Sequence, residues 1–230
     1  MTTLHYTRPL LSVIIPVLNE AAAIVPLLKQ LQSWRPAAEI IVVDGGSQDA
    51  SAELARDYCD RVLVTAPGRA LQMNTGAEHA QGTTLFFLHS DTRPDITLTG
   101  LQQLLVNKPL WGFFRVRLSG HAWPLRLVET MMNLRSRLTR IATGDQLLFV
   151  RRTDFLAMAG YADIPLMEDV ELCRRLRRHT SPRIATAVVT TSSRRWEERG
   201  IFSTVLTMWR LRLAYWLGVS PRRLVKTYYG

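Results

Sequence analysis

The chain has 230 residues, enough to bury a sizeable core, and its 47% hydrophobic and 21% charged content excludes wholesale disorder. Its two cysteines, Cys59 and Cys173, stand far apart without a Cys-x-x-Cys partner, which points to reduced thiols and against a cysteine-rich metal site. The net charge of +10 is uneven: residues 1–106 hold 7 Lys+Arg against 10 Asp+Glu and residues 107–230 hold 22 against 9, so the second half is expected to meet something anionic.

The apolar start, residues 1–28, is broken by Pro16, Asn19 and Glu20 and has no small-residue cleavage site, so export is not expected. No uncharged apolar run reaches the ~18 residues that a membrane-spanning helix needs. The expected location is the cytoplasm, or peripherally the inner face of the cell membrane.

In chain order, 11–17 (Leu-Ser-Val-Ile-Ile-Pro-Val) is a continuous β-branched apolar run of strand length. A helix over 21–34 follows, stopped by Pro36. Residues 39–44 form a second buried strand that ends in Asp44. Gly45-Gly46-Ser47 then turns into a helix from Gln48, with Ser47 as N-cap. A short strand over 61–64 precedes Gly68-Arg69 and a helix over about 70–80. The stretch 83–95 carries a fourth strand, Leu85 to His89, which runs out at Ser90-Asp91-Thr92. Arg93-Pro94 opposes its simple continuation, and a helix starts near Asp95. Four β–α repeats with short loops predict a right-handed, doubly wound, mostly parallel sheet with helices on both faces. Ligands of such sheets sit beyond the carboxyl ends of the strands, which suits Asp91. On this stretch alone, a role as cap of the next helix stands beside that one.

The second half is less regular. Residues 110–118 read as a strand, 123–140 as a basic helix, and Gly144-Asp145-Gln146 as the opening of a strand over 147–150. A short helix reaches Met158 and ends at Gly160, an amphipathic helix covers 166–179, and a last strand covers 184–191. The tail, 200–230, mixes aromatic and apolar residues with Arg210, Arg212, Arg222 and Arg223. It reads equally as a helix in a membrane interface, its arginines snorkelling to headgroups, and as one packed on the domain. A single domain is expected, divided into a first half (10–106), a second half (107–199) and this basic amphipathic tail (200–230).

Three carboxylate positions end beside loops: Asp44, Asp91 and Glu168-Asp169. Residues 16–20, Pro-Val-Leu-Asn-Glu, occupy the place of a dinucleotide-binding Gly-x-Gly-x-x-Gly, so a nicotinamide-type site is disfavoured. There is no Walker A loop, no Gly-x-Ser-x-Gly elbow, and no metal-ligand spacing among the histidines. Asp44 beside two glycines suits a ribose or base hydroxyl.

Taken together, 13–20 (Val-Ile-Ile-Pro-Val-Leu-Asn-Glu), 41–49 (Ile-Val-Val-Asp-Gly-Gly-Ser-Gln-Asp), 68–74 (Gly-Arg-Ala-Leu-Gln-Met-Asn), His89-Ser90-Asp91 and Glu168-Asp169 resemble the family-2 glycosyltransferases of GT-A fold. Gly144-Asp145-Gln146 and Ser193-Arg194-Arg195-Trp196 extend the resemblance over about residues 10–200. It looks closest to the short bacterial "transferase 2" subgroup associated with radical-SAM/selenodomain proteins. The resemblance implies that Pro16, Leu18, Glu20 and Asp44 hold the nucleotide, that Arg69 approaches the diphosphate, and that Ser90 and Asp91 belong to the donor site. Asp91 would bind Mg²⁺ or Mn²⁺, and Asp169, beside Glu168, would be the general base. The resemblance thus makes 10–106 a nucleotide-binding half and 107–199 an acceptor-side half, with Gly144, Asp145, Gln146, Arg195 and Trp196 on the acceptor side, although Trp196 reads equally as core. It departs from the pattern at His89, which replaces the first acid of Asp-x-Asp, and at Ser192, which replaces the Gln of Gln-x-x-Arg-Trp.

The implied activity is inverting transfer of one sugar, from a UDP-sugar by preference, to a hydroxyl acceptor that can be lipid-linked. A basic nucleic-acid-binding α/β module is the alternative from another class, but no nucleic acid is expected: that reading leaves Asp44, Asp91 and Asp169 unexplained, because acids at the ligand edge repel phosphate unless a metal intervenes. A nucleotidyltransferase on a related sheet is a second alternative; it wants a Gly-rich basic loop after the first strand.

Overall fold

The computed structural model describes residues 9–229, with the side chains of Arg195 and of residues 226–229 outside the described set. The strands are β1 (Leu11–Val17), β2 (Ala38–Asp44), β3 (Arg61–Val64), β4 (Thr84–Phe87), β5 (Thr92–Asp95), β6 (Trp111–Leu118), β7 (Leu148–Arg151) and β8 (Arg183–Thr191). They form one sheet in the order β3-β2-β1-β4-β7-β6-β8-β5. The first four are the expected parallel half, with β1 between β2 and β4 and β2 beside β3. The second half is mixed: β7 runs antiparallel to β4 and β6, β6 is parallel to β8, and β5 is antiparallel to β8.

Strands β1 and β2 bury every residue because helices cover both faces. The helices are α1 (Ala21–Leu31), α2 (Ser51–Ala55), α3 (Arg69–His79), α4 (Leu98–Leu105), α5 (Trp123–Thr139), α6 (Arg152–Ala157), α7 (Glu168–His179), α8 (Arg194–Arg199), α9 (Ile201–Trp216) and α10 (Pro221–Tyr229). Strand side chains alternate between the two layers with period two. Val13, Ile15, Ile40 and Val42 meet α1 and α4 on one face, through Ile24, Leu28 and Leu101. Ile14, Ile41 and Val43 meet α3 and α7 on the other, through Met73, Ala77 and Leu172. Phe86 and Phe149 stack across the β4–β7 junction at 5.3 Å, joining the parallel half to the mixed half.

Three expectations are corrected. Thr92–Asp95 is a strand, not the run-in to a helix: Pro94 is tolerated because β5 is the sheet's edge, where a missing N–H costs no ladder bond. Gln30 Nε2 holds the Pro94 carbonyl at 2.7 Å and Trp34 Nε1 holds that of Ile96 at 3.1 Å. The next helix begins at Leu98 with Thr97 as its cap, accepting from Gly100 N at 3.2 Å, so Asp91 does not cap it. The helix expected from Gln48 is the five-residue α2, and Ser47 is not its N-cap; it bonds Asp44 instead. The tail is two helices, parted at Gly218, whose φ of +89° suits glycine.

Candidate active site

Two loops at the carboxyl ends of β1 and β2 are stitched together. Asn19 N donates to Ser47 Oγ at 2.9 Å, and Asn19 Oδ1 accepts from Gln48 N at 2.8 Å. Glu20 N donates to Ser51 Oγ at 2.7 Å and Ala21 N to Asp49 Oδ2 at 3.1 Å. Asn19 takes a left-handed φ of 55° to do so, a conformation that Asn tolerates. Asp44 is 3% exposed, and its carboxylate accepts from Gly46 N (3.0 Å), Ser47 N (2.9 Å) and the Ser47 hydroxyl. It therefore shapes the Gly45-Gly46 turn as an Asx motif. Pro16 is buried within β1, whereas Leu18 stands 45% exposed on the rim.

The chain leaves β4 in mid-sheet and reaches β5 at the far edge, so His89-Ser90-Asp91 crosses the carboxyl-end face. Arg93 anchors the crossing, donating to the carbonyls of Ser90 (2.9 Å) and Ala23 (3.0 Å). Ser90 is buried, and the Asp91 carbonyl accepts from Ser192 N at 3.2 Å. The start of the Ser192–Trp196 segment thus lies against the Asp91 backbone. Trp196 is 8% exposed and packs with Leu118, Leu125 and Val128, holding α8 to the fold. The Arg195 side chain lies outside the described residues.

From the second half, residues 143–146 and the start of α7 close on the same edge. Gly144 N donates to Asp169 Oδ2 at 2.9 Å, and Val170 N donates to Asp169 Oδ1 at 2.7 Å. Gln146 is fully buried; its amide oxygen accepts from the Ser136 hydroxyl at 2.6 Å, and its nitrogen donates to the Phe114 carbonyl at 3.3 Å. It is a strut between α5, β6 and the loop, and it leaves Asp145 to face the site. Asp145 Oδ1 lies 3.8 Å from His89 Nδ1. Leu147 and Met167 flank these loops with φ of 41° and 69°, a conformation unusual for residues with large side chains and found preferentially at functional sites.

Gly144 is required by close approach. A Cβ there would stand 2.5 Å from His89 Nε2. Gly144→Ala is expected to cost about 1–3 kcal/mol of stability through overpacking. It should also lower turnover by displacing the N–H that orients Asp169; thermal unfolding and a rate measurement check both.

The acids of the site feel one another. Burial raises the Glu20 carboxyl, and Asp91 raises it further, with Arg194 opposing. Burial likewise raises Asp145, with His89 opposing and Asp91 adding. Burial, then the Arg69 guanidinium, pushes the His89 imidazole down. Arg69, at the first turn of α3, holds Glu168 Oε1 at 3.0 Å, while Glu168 Oε2 is buried with no hydrogen-bond partner among the described residues. Burial raises the Glu168 carboxyl above its ordinary 4.5 and outweighs Arg69. A raised folded-state value means stability that is complete below about pH 4.5 and lost as pH rises through that raised value. Glu168→Gln, which mimics the protonated form, is therefore expected to gain in melting temperature relative to wild type as pH rises through that window. Parallel thermal melts at pH 4 and pH 8 check it.

Met73, Phe87, Tyr161 and Cys173 line, with His89, Glu168 and Asp169, a cavity of about 10 Å³, room for roughly one water. Burial raises both the Tyr161 hydroxyl and the Cys173 thiol, which favours their protonated forms at neutral pH. Sequence reasoning missed Arg135. It lies half-buried on α5, donates to Ser136 Oγ at 3.0 Å, and has Asp169 as its principal opposite charge, followed by Asp145. No signal in the sequence distinguishes it from the other arginines of that helix.

The family model "Glycosyl transferase family 2" matches residues 12–150, from β1 through β7. Glycosyltransferase AglE of Haloferax volcanii is 38% identical over 98 residues, covering 38% of this chain and 32% of that protein. The undecaprenyl-phosphate 4-deoxy-4-formamido-L-arabinose transferase of Pseudomonas paraeruginosa is 31% identical over 157 residues, covering 61% of this chain and 45% of that protein. The chain thus spans less than half the length of these relatives. Among solved structures, S. aureus TarS (residues 1–349) in complex with UDP superposes with a TM-score of 0.63 at 18% identity, covering 79% of this chain and 60% of that one. The mannosyltransferase PcManGT of Pyrobaculum calidifontis, in complex with GDP-Man and Mn²⁺, gives 0.61 at 20% identity, covering 90% and 61%. These two share the fold. With the family model spanning more than half of the chain, the protein belongs to the family-2 glycosyltransferases, with the GT-A fold.

Proposed function

We propose that the chain transfers a single sugar, with inversion, from a nucleotide-diphosphate sugar to a hydroxyl acceptor. The observation that carries this reading is the meeting of the two halves at one edge: Arg69 Nε lies 3.0 Å from Glu168 Oε1 and His89 Nδ1 3.8 Å from Asp145 Oδ1, with Gly144 N on Asp169 beside them. Donor-side and acceptor-side acids then flank one reacting centre.

In this reading the nucleotide lies over the ends of β1 and β2, near Pro16, Leu18, Glu20 and Asp44. Arg69 and Ser90 border the diphosphate. Asp169 takes the acceptor hydroxyl's proton, and the acceptor oxygen bonds to the anomeric carbon. The bond from that carbon to the diphosphate oxygen breaks on the opposite face, and the nucleoside diphosphate departs with the electron pair. Arg69 offsets the charge that grows there. Glu168 holds Arg69 in place, and Arg135 keeps positive charge beside the base.

Among the described residues, no three His, Cys, Asp or Glu side chains are close enough together to hold a metal by themselves. Asp91 still fits Mg²⁺ or Mn²⁺, since a hard cation of this kind is held by one or two carboxylates, substrate phosphates and water. The rise that Asp91 imposes on Glu20 and Asp145 is the repulsion a cation would relieve. Such an ion would supply Lewis-acid stabilisation of the leaving diphosphate.

The acceptor is lipid-linked in the reading favoured here, supported by the basic second half and by the undecaprenyl-phosphate substrate in the name of one relative. The donor base is taken as uracil, in keeping with the UDP bound by one structural neighbour. A calorimetric titration with UDP, GDP and dTDP, each with and without Mn²⁺, tests the donor site. Metal-dependent binding of one nucleotide is expected; no binding of any would refute the proposal.

A further inference from the structure

Two helices carry apolar stripes that the fold leaves outside. On α5, Trp123, Leu127, Met131, Leu134 and Leu138 are 47–74% exposed. At about 100° per residue they fall within an arc of about 80°. The buried residues Leu125, Val128 and Ser136 occupy the opposite side. On α9, Phe202, Leu206, Trp209, Leu213 and Trp216 are 57–76% exposed and again span about 80°. Buried Thr204 and Leu211 lie diametrically across from them. Each helix is thus apolar on two faces, one docked and one bare.

The two helices are neighbours. Val128 and Met132 of α5 share a cluster with Ile201 and Val205 of α9, with Trp196 beside them. Leu211 packs against Leu166 and Leu224 of α10, which fixes α9 to the body. Three of the chain's six tryptophans, Trp123, Trp209 and Trp216, stand more than 60% exposed on these stripes. Large apolar patches on a soluble surface mark interaction sites, and Trp favours a boundary that is apolar on one side and wet on the other.

Charge identifies the occupant. Residues 200–230 carry Arg210, Arg212, Arg222, Arg223 and Lys226 and no acid. Two copies set face to face would oppose five cations with five. Anionic lipid headgroups complement them instead, while the stripes enter the acyl boundary. Among the described residues no helix is long and apolar enough to cross a membrane, so contact is in the plane.

We infer that α5 and α9 together form a docking face for an anionic bilayer, with α10 supplying further basic groups. This inference deepens the lipid-linked acceptor reading and rests on it for its purpose. The test is co-sedimentation with vesicles of phosphatidylcholine alone and of phosphatidylcholine with phosphatidylglycerol. Binding only to the anionic vesicles is expected. It should weaken about tenfold or more in Trp209→Ser/Trp216→Ser and separately in Leu127→Ser/Leu134→Ser. Arg210→Glu/Arg212→Glu should weaken it similarly, with added salt doing the same. Unchanged unfolding midpoints would show that these exposed substitutions spare the fold.

No binding to anionic vesicles, or equal binding to both kinds, would overturn the inference. So would a dimer in sedimentation velocity that the stripe variants return to monomer. The same samples are titrated with nucleotide and Mn²⁺. Nucleotide binding without vesicle binding rejects the docking face alone; vesicle binding without nucleotide binding rejects the proposed donor site and its reaction and leaves the face standing.

Discussion

Asp169→Asn is expected to lower turnover by about 10²–10⁴-fold, the usual contribution of a positioned general base. The amide keeps the size of the side chain but cannot take the acceptor's proton. Both carboxylate oxygens accept backbone N–H groups, from Gly144 at 2.9 Å and Val170 at 2.7 Å. The amide nitrogen therefore faces one of these donors, at a cost of about 1–3 kcal/mol in stability. Nucleotide affinity should stay near that of wild type, because Asp169 faces the donor's far side in this reading. Calorimetry and steady-state rates on one preparation separate the two effects. A variant that retains turnover within tenfold of wild type would remove Asp169 from the role of base.

Asp91→Ala is expected to abolish the metal dependence of nucleotide binding and to lower turnover by about 10²–10³-fold, equivalent to a few kcal/mol of lost charge stabilisation. His89 stands where the family motif has its first acid, so Asp91 is the one carboxylate of His89-Ser90-Asp91. The turn itself should survive. Arg93 holds it through the carbonyls of Ser90 and Ala23, and Ser192 N binds the backbone of Asp91, none of which uses the carboxylate. Wild type treated with a chelator should match the variant. If the variant binds nucleotide and metal as wild type does, the cation is held elsewhere.

The parallel half was legible because β1, β2 and β4 are buried, largely apolar runs, with Asp44 at the end of β2 and His89-Ser90-Asp91 just past β4. Asp44 and Asp91 mark the same sheet edge by that logic alone. The motifs that carried the family resemblance were likewise readable as strings. What stayed hidden depends on tertiary partners. Pro94 looked like a terminator until the edge position of β5 made its missing N–H harmless. Ser47 had two competing partners, a helix N-terminus and Asp44, and nothing local decides between them. Gln146 and Asp145 are adjacent in sequence, yet one is a buried strut and the other faces the site. The amphipathic pattern of α5 was masked because both of its faces are apolar, so its periodicity does not single out one side.

The central claim is inverting transfer with Asp169 as base, and the sugar released when water replaces the acceptor tests it most directly. Incubation with the nucleotide-sugar that binds best, followed by proton NMR at early times, reads the anomer before mutarotation. The expected result is nucleoside diphosphate released together with the anomer opposite to that of the donor, at a rate that Asp169→Asn removes. Release of the donor's own anomer, or an undiminished rate in Asp169→Asn, would contradict it.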